Sequence, residues 1–239
     1  MKKILSIVTV TVLAVFIATT VFATSFKDVK DSDYYAEAAE RMVKRGILSG
    51  YGDGMYHGNE PVTRAHIAAL VCKMLGKAKE AEKLAGETVF TDVNLDAWYT
   101  GYINFAVSEG IINGDGDGKF RPDDNVKFEE VVKVVVCVLD LDGGIKIDPA
   151  DWSKGYIAAA EKAGLMKNLI GKKGEPMLRS DIAVICDAGM TVLDAASEDT
   201  TTTKRGVSKP AHASTTAPES TDAPSIFTTY ENALPPIKF

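Results

Sequence analysis

The chain has 239 residues and is acidic, with 33 aspartates and glutamates against 27 lysines and arginines and a formal net charge of −6 at pH 7. An acidic chain without a basic stripe argues against nucleic acids and anionic membrane surfaces as partners. The cysteines, Cys72, Cys137 and Cys186, have no spacing typical of a zinc site. We therefore expect buried thiols, no metal centre and no cofactor.

Residues 1–23 have the pattern of a secretory signal peptide. Met1 and two lysines form a basic start, residues 4–22 are apolar, and Val21 and Ala23 stand at the −3 and −1 positions of a cleavage site. The alternative is an uncleaved anchor helix, because the apolar run is about the minimum length that spans a bilayer. We expect cleavage near Ala23, export, and no membrane segment in the mature protein.

A short pattern occurs twice along the rest of the chain, and a weaker third copy follows. Residues 26–29, Phe-Lys-Asp-Val, recur as residues 90–93, Phe-Thr-Asp-Val. The Gly-Ile-Leu of residues 46–48 recurs as the Gly-Ile-Ile of residues 110–112, and Gly164 marks the third copy. Self-similarity of this kind indicates one small unit that is used several times.

Each unit is predicted to be a helix, a glycine-rich loop and a second helix. Apolar residues at i, i+4, i+7 and i+8 mark one face of the first helix, and a glycine ends it where the chain needs a positive φ. The valine-rich run 131–138 is β-prone in isolation, but its place in the repeat predicts a helix. Residues 77–87 have the composition of a short extra helix.

One such helix pair cannot bury both apolar faces alone, so the units are expected to pack on one another in an all-α fold. The Ser/Thr/Pro-rich end of the chain cannot build a core and is predicted to be a disordered tail. The predicted divisions are a signal peptide at 1–23, a first unit at 24–77, a linker at 78–89, a second unit at 90–141, a third unit at 142–194 and the tail at 195–239.

The Phe-x-Asp-Val start of a unit, and the Val-Thr-Arg-Ala-His of residues 62–66 that begins its second helix, resemble the two signatures of the S-layer homology domain. The resemblance covers residues 26–194, with an eroded start in the third unit. It implies three tandem repeats in a pseudo-threefold, three-pronged bundle. It also implies grooves between the prongs that bind secondary cell-wall polysaccharide or a peptidoglycan-linked glycan, commonly through pyruvylated N-acetylmannosamine, and so anchor a secreted protein non-covalently in the bacterial cell wall or S-layer.

Arg64 and Arg179 occupy matching places at the start of a second helix, and Arg64 follows Thr63, a good N-cap. A guanidinium beside free backbone N–H groups and the positive end of a helix suits a sugar carboxylate. The alternative is that both arginines pair with acidic residues of the repeat itself.

Aromatic and acidic residues complete the candidate site. Tyr34, Trp98 and Trp152 share one position near the start of the first helix, where a ring can cover a sugar or serve as a core wedge. Asp28 and Asp92 are expected to cap the first helix, or alternatively to orient the arginine or accept sugar hydroxyls. The predicted carbohydrate-binding residues are therefore Arg64, Arg179, Asp28, Asp92, Tyr34, Trp98 and Trp152.

The second and third units depart from the pattern. Phe128 stands where the second arginine is expected, and Glu129 and Glu130 follow it. These acids are expected to face solvent and to repel an anionic sugar. In the third unit Leu178 replaces the threonine. At most two grooves are expected to bind glycan, and that of Arg64 is the stronger candidate.

Residues 113–124 partly imitate a calcium loop, although a glycine-rich turn that serves the repeat is the simpler interpretation. The sequence has no Gly-x-Ser-x-Gly, His-Glu-x-x-His or phosphate-loop motif. A hydrolase acting on wall glycan is not expected, because the tail is too short for a catalytic domain. The remaining alternative is a structural protein that self-associates into a surface lattice through its repeats or tail.

Overall fold

A computed structural model of the chain describes residues 26–202, with side chains as far as residue 197. The predicted signal peptide and most of the predicted tail lie outside these residues. Within them the regular structure is helical, with isolated β-bridges and no extended strand. The helices are α1 Ala36–Lys44, α2 Arg64–Met74, α3 Ala78–Glu82, α4 Thr100–Ser108, α5 Phe128–Val138, α6 Ser153–Lys162 and α7 Arg179–Thr202.

The first helix of each unit ends at a glycine, as predicted. After α1, Gly46 has φ +71°, and the N–H of Ile47 donates to the carbonyl of Met42 at 3.0 Å. This is the 6→1 bond of a Schellman motif. Gly110 and Gly164 end α4 and α6 with the same positive φ.

The valine-rich run forms helix α5, and the predicted extra helix is present as α3. Helix propensity separates valine from the best helix formers by no more than about 0.7 kcal/mol per residue. Full burial of a valine side chain contributes about 1.5–3 kcal/mol. The four valines Val131, Val132, Val135 and Val136 are fully buried in α5, so packing outweighs their preference for strands.

The first helix of each unit packs on the second helix of the preceding unit. α4 packs on α2, and α6 packs on α5. α1 packs on α7, at the far end of the described chain, and an ion pair of 2.8 Å between Arg41 and Asp187 joins these two helices. The chain therefore closes into a ring of three prongs in which no unit is complete by itself.

Three backbone hydrogen bonds close the ring at its centre. The N–H of Val62 donates to the carbonyl of Met177 (2.9 Å), that of Met177 to Val126 (2.8 Å), and that of Val126 to Val62 (3.0 Å). Each residue lies just before α2, α5 or α7 and supplies one donor and one acceptor. This cyclic pattern confirms the predicted pseudo-threefold bundle.

Helix α7 is longer than predicted. It runs to Thr202, beyond the expected end of the third unit at residue 194, so the predicted tail begins as helix. Arg45 at the end of α1 pairs with Asp194, the residue just before this extension, and the alanines that follow it favour helix. The remainder of the tail prediction lies outside the described residues.

Candidate functional site

The two predicted aspartates bind the loop of their own unit. The carboxylate of Asp28 accepts hydrogen bonds from the N–H groups of Tyr56 (2.7 Å) and His57 (2.8 Å). Asp92 accepts from the corresponding residues of the second unit, both at 2.8 Å. The expectation that they cap the first helix is wrong, because α1 and α4 begin without a side-chain cap. Burial alone would raise the pKa of Asp28, but these backbone bonds outweigh it and lower the pKa.

The two predicted arginines insert into the loop of a neighbouring unit. Arg64 donates to the carbonyls of Phe120 (2.6 Å) and Asn113 (2.9 Å) in the second unit. Its guanidinium lies 4.6 Å from the centre of the Phe120 ring, and it is only 6% exposed. Burial lowers the pKa of Arg64, while the charge of Glu130 opposes that effect.

Arg179 repeats this arrangement in the first unit. It donates through Nε to the carbonyl of Tyr56 (2.8 Å) and through Nη2 to that of Ser49 (2.9 Å), and it is 8% exposed. Its guanidinium lies between the Tyr51 and Tyr56 rings, at 4.7 and 4.8 Å. Both arginines therefore hold loops in place, a role that the sequence did not suggest.

The helix ends beside these arginines are not open to a ligand. The N–H groups of Arg64 and Ala65 donate to the carbonyls of Asp124 (3.0 Å) and Pro122 (2.9 Å). The N–H groups of Arg179 and Ser180 likewise donate to loop carbonyls, each at 2.9 Å. The expectation of free N–H groups here is wrong, because ring closure brings the neighbouring loop against each helix start.

At the third loop, the apolar side chain of Phe128 takes the place that Arg64 and Arg179 have at the other two loops. It is buried, and a Cβ added to Gly171 would lie 2.9 Å from its ring. Glu129 and Glu130 are also buried rather than solvated. Glu130 accepts from the N–H of Lys127, and Glu129 accepts from that of Gly174, each at 2.8 Å. These acids satisfy backbone donors and do not face solvent as expected.

The three predicted aromatics lie at equivalent places, each against the second helix of the preceding unit. The Trp98 ring is 5.5 Å from that of His66 and is 56% exposed. Trp152 lies 5.8 Å from the Lys133 ammonium. The hydroxyl of Tyr34 donates to Asp181 (3.0 Å), and burial raises the pKa of Tyr34 to about 12.

Trp98 and Arg179 meet at one cavity of about 310 Å3, which we call the Arg179 cavity. Isoleucine and leucine side chains from α2 and the first loop form its apolar part. None of its lining residues is acidic. Its other members with polar or aromatic side chains are Ser49, Tyr51, His66 and Lys73.

The equivalent cavity beside Arg64 is nearly closed. It has a volume of about 10 Å3, roughly that of one water, and Glu130 lines it together with aliphatic residues. At the equivalent place beside the loop of the third unit, the Asp181 carboxylate accepts from the N–H groups of Ile170 (3.1 Å) and Gly171 (2.9 Å). The structure therefore favours the Arg179 cavity over the groove of Arg64.

The loop that resembles a calcium site is occupied by an arginine. Arg121 pairs with Asp115 and, at 2.7 Å, with Asp117. The same guanidinium thus occupies the two carboxylates of Asp115 and Asp117 that would otherwise face a cation. Among the described side chains, those of residues 26–197, no group of acidic, histidine or cysteine residues is arranged to hold a metal.

The site prediction did not include Tyr51, His66 or Lys73, all of which line the Arg179 cavity. The repeat pattern assigns each residue to its own unit, whereas this cavity combines α2, a tryptophan of the second unit and an arginine of the third. Thr63-Arg64-Ala65-His66 does carry a signal, because Glu130 and Asp181 hold the place of His66 in the other units.

Residues 25–68 and 89–132 match the S-layer homology domain. A "Cell surface protein" of Thermoanaerobacter kivui is 36% identical over 196 residues, 80% of this chain and 25% of that protein. A "Surface layer protein" of Brevibacillus choshinensis is 28% identical over 173 residues, 71% of this chain and 15% of its own length. A "Cellulosome-anchoring protein" of Acetivibrio thermocellus is 32% identical over 112 residues, 46% of this chain and 25% of its own length.

The chain contains S-layer homology domains at the two matched segments, which are the first two units of the ring. It is a protein of the cell surface, like the relatives that share these domains. The chain spans a quarter or less of the length of these relatives. Between residues 26 and 202, no helix is both long and apolar enough to cross a bilayer.

Proposed function

We propose that the three-unit ring anchors the protein to the cell surface by non-covalent, non-catalytic binding of an acidic cell-wall polysaccharide in the Arg179 cavity. The observation that carries the proposal is the charge of this cavity. Arg179, Lys73 and His66 line it, and no acidic residue does, although the chain as a whole has a net charge of −6. The cellulosome-anchoring relative supports the anchoring part of the proposal.

The cavity offers a preorganised cation for a sugar carboxylate. The two carbonyl bonds of Arg179 use Nε and Nη2, which leaves Nη1 to donate to a ligand. Because the loop already fixes the guanidinium, little side-chain entropy is lost on binding. A pyruvyl ketal is a rigid carboxylate on a sugar, so it presents the complementary charge without mobile bonds. Lys73, on α2, adds a second positive charge to the lining of the cavity.

Aromatic rings supply the second part of the binding surface. Trp98 borders the cavity and is 56% exposed, and Tyr51 is also exposed. A planar ring can cover the apolar face of a pyranose. The volume of about 310 Å3 lies at the lower end of the range of small-molecule pockets, which suits a short terminal segment of a polysaccharide.

The test is sedimentation of the protein with purified wall sacculi before and after extraction of the polysaccharide. We expect binding to be lost after extraction. Trp98→Ala should weaken binding about tenfold, corresponding to roughly 1.4 kcal/mol. Trp152→Ala, at the same place of the third unit, is the matched control and should have little effect. Equal binding to extracted sacculi would contradict the proposal, and large assemblies without glycan would favour the self-associating alternative.

A further inference from the structure

His66 lies three positions after Thr63. The residues at the matching place of the other two units have different roles. In the second unit this residue is Glu130, which accepts from the N–H of Lys127, the N-cap residue of α5, at 2.8 Å. In the third unit it is Asp181, which is fully buried and accepts from two loop N–H groups and from Tyr34. In the first unit it is His66, the only one of the three that lines the large cavity.

His66 is positioned for contact with a ligand. Its Nδ1 lies 2.9 Å from the hydroxyl of Thr63, so Nε2 is the ring nitrogen that remains for a bound molecule. The ring lies 5.5 Å from that of Trp98. Arg179 and Lys73 line the same cavity. An anion that binds between them would therefore meet an imidazole as its third neighbour.

Burial and the cationic side chains around His66 both favour its neutral form. Burial lowers the pKa of His66, Arg179 from α7 and Lys73 from α2 lower it further, and Asp123, from the loop before α5, opposes them. Trp98, just before α4, faces the ring, and α4 itself has no charged residue. The charged residues of α3 lie near the end of α2 that is distant from His66. Glu130 of α5 lies beside Arg64 and not beside His66.

We infer that His66 is a specificity-determining residue of the Arg179 cavity, which takes up a proton when an anionic sugar binds and so couples wall attachment to pH. The inference rests on the proposed function and names its regulation. A bound carboxylate stays ionised above about pH 5, and it stabilises the protonated imidazole by attraction. By linkage, binding is then tighter where the proton is available, so affinity rises as the pH falls.

The test is titration calorimetry with pyruvylated N-acetylmannosamine between pH 7.5 and pH 5.5. We expect wild-type affinity to increase about tenfold over this range, with proton uptake shown by buffers of different ionisation enthalpy. His66→Gln should bind with an affinity that is independent of pH. His66→Glu should bind about tenfold more weakly than His66→Gln at pH 7.5. Retention of the full pH dependence in His66→Gln would overturn the inference.

Both substitutions are compatible with the fold, because Gln or Glu three residues after Thr63 forms a capping box. Unchanged thermal unfolding midpoints would verify this. The matched control is His57→Asn. His57 has φ +58° and pairs with Asp53 outside the cavity, and asparagine tolerates that backbone conformation. This variant should keep the wild-type pH dependence.

The outcomes also separate the inference from the proposed function. If the wild-type protein binds neither the sugar nor sacculi at any pH, the proposed function fails. If the protein binds the sugar, and Arg179→Ala abolishes that binding, but wild-type affinity does not change with pH, the proposed function stands and only the role of His66 is overturned. N-acetylmannosamine without pyruvate is the ligand control and should bind weakly with no pH dependence.

Discussion

Asp28 and Arg179 hold the backbone of the same residue, Tyr56, from its two sides. Asp28 accepts from the N–H of Tyr56 at 2.7 Å, and Arg179 donates to its carbonyl at 2.8 Å. The hydroxyl of Tyr56 in turn donates to the carbonyl of Arg179 at 2.8 Å. We call this pair of contacts on one residue a clamp. Because Arg179 belongs to the third unit, the clamp joins the first loop to the third unit.

The second loop has the same clamp around Phe120. Asp92 accepts from its N–H at 2.8 Å, and Arg64 donates to its carbonyl at 2.6 Å. The two signatures that identify the S-layer homology domain therefore meet on one residue, although they come from different units. Their structural role is shared by both loops, whereas the cavity beside Arg179 is large and that beside Arg64 is nearly closed.

We predict that Arg64→Ala and Arg179→Ala lower the free energy of unfolding by a similar amount, about 2–4 kcal/mol. Each change leaves two loop carbonyls without their charged donor. Only Arg179→Ala should also reduce glycan binding, measured at a temperature where both variants are folded. Loss of binding in Arg64→Ala but not in Arg179→Ala would show that the glycan binds beside Arg64 instead.

Acid should weaken the fold through the aspartate clamps. Backbone bonds lower the pKa of Asp28 and Asp92, so their contribution to stability is present above the unfolded pKa of about 3.9. It is lost as the pH falls through the lower, folded pKa. Asp28→Asn should be less stable than wild type at pH 7, and its stability should change less between pH 5 and pH 3.

Urea unfolding at several pH values measures this effect. Asp31→Asn is the control, because Asp31 is exposed and lies outside the clamp. A change in acid sensitivity that is as large in this control as in Asp28→Asn would indicate a general charge effect and not the clamp.

Gly101→Ala should lower the free energy of unfolding by about 1–3 kcal/mol, because its new methyl group would overlap the backbone carbonyl of Ala81 in α3. Gly155 occupies the same helical place in α6, where an added Cβ would meet the side chain of Ile145 at 2.5 Å. A side chain can move aside more easily than a helix backbone, so Gly155→Ala should cost less. Thermal unfolding of both variants decides the comparison, and equal losses would contradict it.

Because the three units close into a ring, we predict that the first two units do not fold without the third. A fragment of residues 26–141 lacks α7, on which α1 packs. The buried face of α1, including Ala39 and Met42, would then be exposed to water. We expect the fragment to associate or to unfold without cooperativity, in contrast to residues 26–202. A monomeric fragment with a sharp unfolding transition, observed by ultracentrifugation and circular dichroism, would show that ring closure is dispensable.

Local features of the fold were predictable from the sequence because their causes are local. The helix-ending glycines and the apolar faces depend on residues within two turns of one another, and the structure has them at Gly46, Gly110 and Gly164. The repeat alignment also predicted helix α5 correctly despite its valines. The positions of Trp98 and Arg179 within their own units were predictable in the same way.

The sequence by itself determined three helix pairs and the residue types at each unit's signature positions. The tertiary structure decided which unit each signature serves, because α1 packs on α7 and the Arg179 side chain enters a loop more than a hundred residues away. It also decided that Asp28 binds a loop instead of capping a helix, and that His66 and Lys73 share a cavity with Trp98. Periodicity specifies which face of a helix is buried, but the partner of that face depends on how the ring closes.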